Sequence, residues 1–175
     1  NDQDVSEWIS EVSSHIAFEE NKLIGNTPSM ELSIKADNSD GKFDNLLDFP
    51  FLMKDEENHL LGTFYVYEKP EKMTKELNLE LYDSLIMANE NYDSSLEYPV
   101  SVEDILDEIS QLLEIDFDIS LIPGSLLSKE VNFYDSSETM RTHLGWIAEA
   151  GGCNLFAQSD ASYMFVPLSN TVKYV

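Results

Sequence analysis

Four kinds of residue in this chain could do chemistry: a run of acids around Gly41, three histidines, one cysteine, and carboxylates spread over its whole length. The run DNSDGKFD, Asp37 to Asp44, invites a calcium reading. Glycine is the sixth residue of an EF-hand loop, which would put Ala36 first and Leu47 twelfth, where carboxylates are needed. The register fails, so the run reads as a tight polar turn, with loose cation binding by clustered carboxylates as the alternative. His15, His59 and His143 are scattered, with no HExxH and no partner at ligand spacing. His143 falls beside an apolar helix face, the ordinary setting of a structural histidine. Cys153 follows a glycine pair with nothing local to lower its pKa, so it reads as a buried thiol rather than a nucleophile. Among 34 acids no pair is singled out as a glycosidase would require, with one acid in an apolar pocket. Neither a Gly-x-Ser-x-Gly elbow nor a phosphate-cradling glycine loop occurs. No catalytic, metal-ligating or cofactor-binding residue emerges.

The elements around these residues are drawn from 175 residues, enough to bury a core without disulfides or metal. Asp and Glu outnumber Lys and Arg 34 to 10, a formal charge of −24 that repels phosphate and argues against specific nucleic-acid binding. Such an excess solubilises, lets nucleic acid pass without sticking, or meets a basic partner. One cysteine excludes an internal disulfide framework. No apolar run approaches the roughly 20 residues of a membrane helix, and there is no basic, apolar leader, so a soluble chain without membrane insertion is expected. The start at Asn1-Asp2 rather than Met implies a piece of a longer protein.

Residues 1–90 read as a β-rich, barrel-like unit. Val12 to Phe18 and Met30 to Lys35 alternate in part, with turn residues at Gly25 to Ser29 between them. Leu61 to Glu68, LGTFYVYE, is aromatic and β-branched and closes at Lys69-Pro70, and Glu76 to Tyr82 alternates Leu77, Leu79 and Leu81 with polar residues. Leu85 to Met87 suggests a short helix, and polar Asn89 to Ser95 a joint.

Residues 91–175 read as a small α+β unit in the order β-α-β-β-α-β-β, so the fold class is α+β. Pro99 disfavours helical geometry at Tyr98 and holds Leu96 to Val100 extended. Ser101 then caps a helix with Glu103 and Asp104 in its first turn. Its apolar stripe is Val102, Ile105, Leu106, Ile109, Leu112 and Leu113, with Glu103, Asp107, Glu108 and Gln111 away from it. Strands are expected at Asp118 to Ile122 and Glu130 to Tyr134. A second helix, capped by Asp135 or Ser136, buries Met140, Leu144, Ile147 and Ala148 and stops at Gly151-Gly152. Asn154 to Gln158 and Tyr163 to Leu168 form a hairpin about Ser159-Asp160-Ala161. Trp8, the tyrosines of FYVYE and Trp146, the last off the main stripe, read as core or as interface residues.

Four stretches, in order, resemble the N-terminal region of phage tail-hub proteins, the tail-tip or baseplate hub family that includes prophage tail-associated lysins and endopeptidases. LLGTFYVYE, Leu60 to Glu68, is similar to a Leu-Gly-x-Phe-Tyr-Val strand and contributes Gly62 and Phe64. LELYDSLIMAN, Leu79 to Asn89, enters a short helix through Tyr82-Asp83. SLEYPVSVEDILDEI carries Tyr98-Pro99 and then Ile105 and Ile109. SSETMRTHLGWIAEAGGC, Ser136 to Cys153, carries Leu144, Ile147, Ala148 and the terminating Gly151. The chain departs from the family pattern at Ser159-Asp160-Ala161, where an Asp-Gly turn is common, and at Asn154, where an apolar residue is usual.

The resemblance implies a structural role in the virion, at the tip of a phage or prophage tail assembled in the bacterial cytoplasm. The protein would form a homotrimeric ring joining the tail tube to the host-facing fibre or lysin, with distal tail protein, tape measure and fibre as partners. Its acidic wall would line the DNA exit channel. No enzyme activity is expected of this segment, although the family's members often continue into a cell-wall hydrolase. The alternative is an acidic binding module, a DNA mimic or an inhibitor of a basic partner. A carboxylate hydrolase would need an acid of raised pKa in a cleft.

Overall fold

The computed structural model describes residues 3–19, 22–70 and 72–168. Strands β1 (Ile9–Ile16), β2 (Met30–Asp37), β3 (Phe51–Lys54), β4 (Leu60–Val66) and β5 (Glu76–Tyr82) form one antiparallel sheet in the order β1-β2-β5-β4-β3. It curls into a half-barrel. Pairing shows why: β4 meets β5 only through Tyr65–Tyr82 and Val66–Leu81, then diverges to pair with β3. Alternation places Leu77, Leu79 and Leu81 inward, against Leu32, Ile34, Ala36, Phe43, Leu47 and Phe64. The first strand begins three residues earlier than Val12 and ends at Ile16. β3 is an additional strand with no counterpart in the sequence reading, because four residues carry too little alternation to announce one.

A 3-10 helix, Ser84–Asn89, leads into the second core. There follow β6 (Val100–Ser101), α1 (Val102–Leu113), β7 (Phe117–Asp118), α2 (Gly124–Leu127), β8 (Glu130–Val131), α3 (Met140–Ala150), β9 (Cys153–Ala157) and β10 (Tyr163–Pro167). This is the expected α+β order with the one-turn helix α2 added. β7, β10 and β9 form a three-stranded sheet, with β7 parallel to β10, and β6 pairs with β8.

Ser101 caps α1 as expected. Its hydroxyl accepts the Asp104 N–H at 3.1 Å, and the Asp104 carboxylate accepts the Ser101 N–H, a complete capping box. Val102, Ile105, Leu106 and Ile109 are buried, but Leu112 is 54% exposed and leaves the stripe. The cap of α3 is Thr139, not Asp135 or Ser136. Asp135 is instead occupied in a local turn, accepting the Ser137 N–H and hydroxyl. The strand expected over Asp118 to Ile122 stops at Asp118, whose carboxylate takes the Ser120 N–H, and the strand expected to Tyr134 stops at Val131. The polar joint contains a fully buried side chain, Tyr92, in the second core.

Candidate functional site

A network of polar contacts lies where the half-barrel meets the helical unit. Asp83 ends β5 and caps the 3-10 helix. Its carboxylate accepts the Met30 N–H at 2.6 Å, the Ser29 hydroxyl at 2.7 Å and the Leu85 N–H at 3.1 Å. Burial pushes this carboxyl above its ordinary range, against those three donors and the charge of Arg141. Arg141 is the chain's only arginine. From the first turn of α3 its Nε donates to the Thr27 carbonyl at 2.9 Å, and Nη1 donates to Asn89 Oδ1 at 3.2 Å. Burial pulls the guanidinium below its ordinary value and the Asp83 charge opposes it.

Three more contacts cross the same seam. Tyr163 donates its hydroxyl to the Ser84 carbonyl at 2.6 Å, Ser84 donates to the Ala161 carbonyl at 2.8 Å, and Thr63 of β4 donates to the Ser159 carbonyl at 2.7 Å. On its far side Gly25 and Asn26 dock along β9: the Gly25 N–H reaches the Cys153 carbonyl at 2.7 Å, and the Leu155 N–H reaches the Asn26 carbonyl at 2.9 Å. Asn154 explains its own departure from the family pattern, because its Oδ1 accepts the Asn26 N–H at 2.9 Å. Ala161 has no such compensation: it adopts φ 73°, the left-handed geometry for which glycine is the usual residue.

A cleft of about 350 Å³ opens over the seam, lined by Lys22, Thr27, Asn89, Arg141, Gly145 and Trp146. Trp146 is 48% exposed there and packs edge-on against His143, which also meets the Tyr92 ring. The Arg141 guanidinium is committed to Thr27 and Asn89, and no buried side-chain nitrogen or oxygen among the described residues lacks a partner. Chemically the arrangement is a clamp, in which polar groups hold two units in one relative placement.

The other candidate residues lie apart. His15 is exposed on β1, His59 sits 2.9 Å from Asp55 in the β3–β4 turn, and His143 is buried; no group of three or more His, Cys, Asp or Glu among the described residues could hold a metal ion. In the Asp37–Asp44 run, Asn38 accepts the Phe43 N–H and donates to Asp44, a polar turn that seats Phe43 in the first core. Cys153 is buried and burial raises its thiol pKa.

Of the family-like residues, Ile105, Ile109, Leu144, Ile147 and Ala148 are buried in the second core. Gly62 lies beneath the Phe64 ring, where a Cβ would come within 2.6 Å of that ring. Tyr82 faces outward against Tyr67, Tyr98 stacks near Tyr134, Pro99 is exposed, and Gly151 packs on Leu126. Only Asp83 of that set lies in the seam network. The sequence reading passed over Arg141, Thr27 and Asn26 and placed Glu108 only as a residue off the apolar stripe; for Arg141 the signal was its being the sole arginine, the cation best suited to a buried multidentate role.

Sequence comparison yields no matching family profile and no matching curated protein. Solved structures do match. The 43 kDa tail protein of prophage MuSo2 from Shewanella oneidensis superposes with a TM-score of 0.53 at 13% identity, over 94% of this chain and 51% of that one. The tail protein from Neisseria meningitidis MC58 gives 0.57 at 13% identity, over 90% and 45%. The chain therefore has a fold found in phage tail proteins and spans about half the length of these two.

Proposed function

We propose that the chain is a structural component of a phage or prophage tail, at the tip or baseplate hub, where it joins the tail tube to the host-facing fibre or lysin. The observation that carries this reading is the shared fold, which runs through both units of the chain in two tail proteins. The seam supports it: a hub must transmit load between its parts, and here Asp83, Arg141, Tyr163 and Thr63 tie the half-barrel to the helical unit. Three copies at −24 each around an exit channel would make a wall along which DNA slides rather than binds. Distal tail protein, tape measure and fibre are the partners of this reading, and the virion is its location. A segment without catalysis is part of the same proposal, and the engagement of its buried carboxylate, Asp83, by three structural donors supports it.

Antibody labelling of purified particles tests the assignment, with label expected at the distal end of the tail. Label on capsids, or particles lacking the protein altogether, would sink it. Cell-wall cleavage by the purified segment, abolished by one Asp or Glu substitution, would overturn the non-catalytic part.

A further inference from the structure

We infer that the outward face of β1, β2 and β5 is a docking surface for an arginine-bearing segment of a partner protein, with the Tyr67 and Tyr82 rings as the seat of the guanidinium. Register lays out this face. Ser33 lies opposite both Ser13 and Glu80, Lys35 opposite both Glu11 and Asn78, and Glu31 opposite Tyr82, all on the side turned away from the first core. Beyond Val66, β4 stops pairing with β5, and the residues from Tyr67 to Pro70 line a cleft over these rows. The cleft holds about 710 Å³, within the scale of sites that enclose a ligand, about 300–1,000 Å³.

The rings and the charge together identify the occupant. Tyr67 and Tyr82 meet edge-to-face, with centroids 6.3 Å apart and planes at 81°, and Tyr67 is 58% exposed, which leaves ring surface open to a stacked cation. Around them Glu11, Glu31, Glu68 and Glu80 form no ion pair among the described residues. Of the two lysines on the cleft, Lys69 is paired with Asp48 and Lys35 lies opposite Glu11. Burial raises the Tyr82 phenol, and the charges of Glu31, Glu80 and Glu68 raise it further, so three carboxylates bear on that ring. A guanidinium stacks its plane on an aromatic ring while its forked N–H groups reach carboxylates, whereas an ammonium has no plane to stack. An anion is repelled by a chain at −24, and a cationic segment is steered toward it. The inference is independent of the tail reading.

Titration of the full chain with the peptide acetyl-Gly-Arg-Gly-Arg-Gly-amide, followed by backbone amide NMR at about 0.05 and 0.15 M salt, tests it. Shifts are expected in residues 31–35, 67–70 and 78–82, with weaker binding at the higher salt. The same peptide with glutamine in place of arginine should leave the spectrum unchanged. Tyr67→Leu should weaken binding about two- to fivefold, and Glu68→Gln by a similar factor of up to about fivefold. Both positions are exposed, so circular dichroism should be unchanged. Glu103→Gln, an exposed acid of α1, should have no effect. Shifts spread over the whole surface, with Glu103→Gln as damaging as Glu68→Gln, would establish diffuse attraction to the net charge and overturn the inference. Equal binding of the glutamine peptide would assign the cleft to a neutral ligand and overturn it too. So would the absence of any shift at about 1 mM arginine peptide. Each of these outcomes leaves the tail reading intact.

Discussion

The Tyr92 hydroxyl donates to the Glu108 carboxylate across 2.5 Å, joining a residue of the polar joint to the helix face turned away from the apolar stripe. Ser94 and Ser95 add their hydroxyls, and the Ser95 N–H completes the set. Burial alone would raise the Glu108 carboxyl, but these donors outweigh it and hold it below its ordinary value. Burial and the Glu108 contact raise the Tyr92 phenol. The Glu108 contribution to stability is therefore present above about pH 4.5, the unfolded value, and is lost as pH falls through the lower folded one. The Tyr92 contribution is present below about pH 10 and is lost as pH rises. Urea midpoints measured across pH should fall at both ends. Glu108→Gln should flatten the acid limb, and Tyr92→Phe should cost about 1–2 kcal/mol at neutral pH.

Gly25 holds the docked segment against α3. Its φ is 75°, and a Cβ there would approach the Glu149 Cβ to 2.7 Å and the Gly145 carbonyl to 3.1 Å. Gly25→Ala should therefore cost at least about 1–2 kcal/mol, the backbone penalty alone. Gly124→Ala, where nothing lies within 4 Å, is the matched control and should change the urea midpoint little.

Ala161 runs the other way. At φ 73° a Cβ is a burden, and Ala161→Gly should raise stability by about 1 kcal/mol. An unchanged or lower thermal midpoint in this variant would contradict the turn geometry.

On α1, two residues of the expected stripe should separate sharply. Ile109 is fully buried and Leu112 is 54% exposed. Ile109→Ala should cost about 2–5 kcal/mol and Leu112→Ala within about 0.5 kcal/mol, both read from denaturant unfolding.

The legibility of these features in the sequence follows the range of the interactions that make them. α1 was readable because its cap, its first-turn acids and most of its stripe lie within a dozen residues. β5 was readable from the Leu77, Leu79, Leu81 alternation, whose bounds match the strand. The cap of α3 was misread because Asp135, Ser136 and Thr139 are all competent caps, and only folding shows that Asp135 is already engaged by Ser137. β3 was missed because its partner β4, not its own four residues, makes it a strand. The seam was illegible for the same reason at larger scale: Arg141 meets Thr27 across 114 positions and Asn26 meets Asn154 across 128. No local pattern encodes such pairs, and the resemblance to tail hubs rested on motifs that are mostly core.

The docking of Gly25 and Asn26 on β9 also constrains the order of events during synthesis. The strands of the half-barrel are complete once Tyr82 has left the ribosome, yet the connection between β1 and β2 has no edge to settle on until Cys153 to Leu155 emerge. The nascent chain must carry that connection undocked while some 70 further residues are translated, about 4–14 s at ordinary elongation rates. The first unit can thus form early, but its last loop is set only when the second is nearly finished.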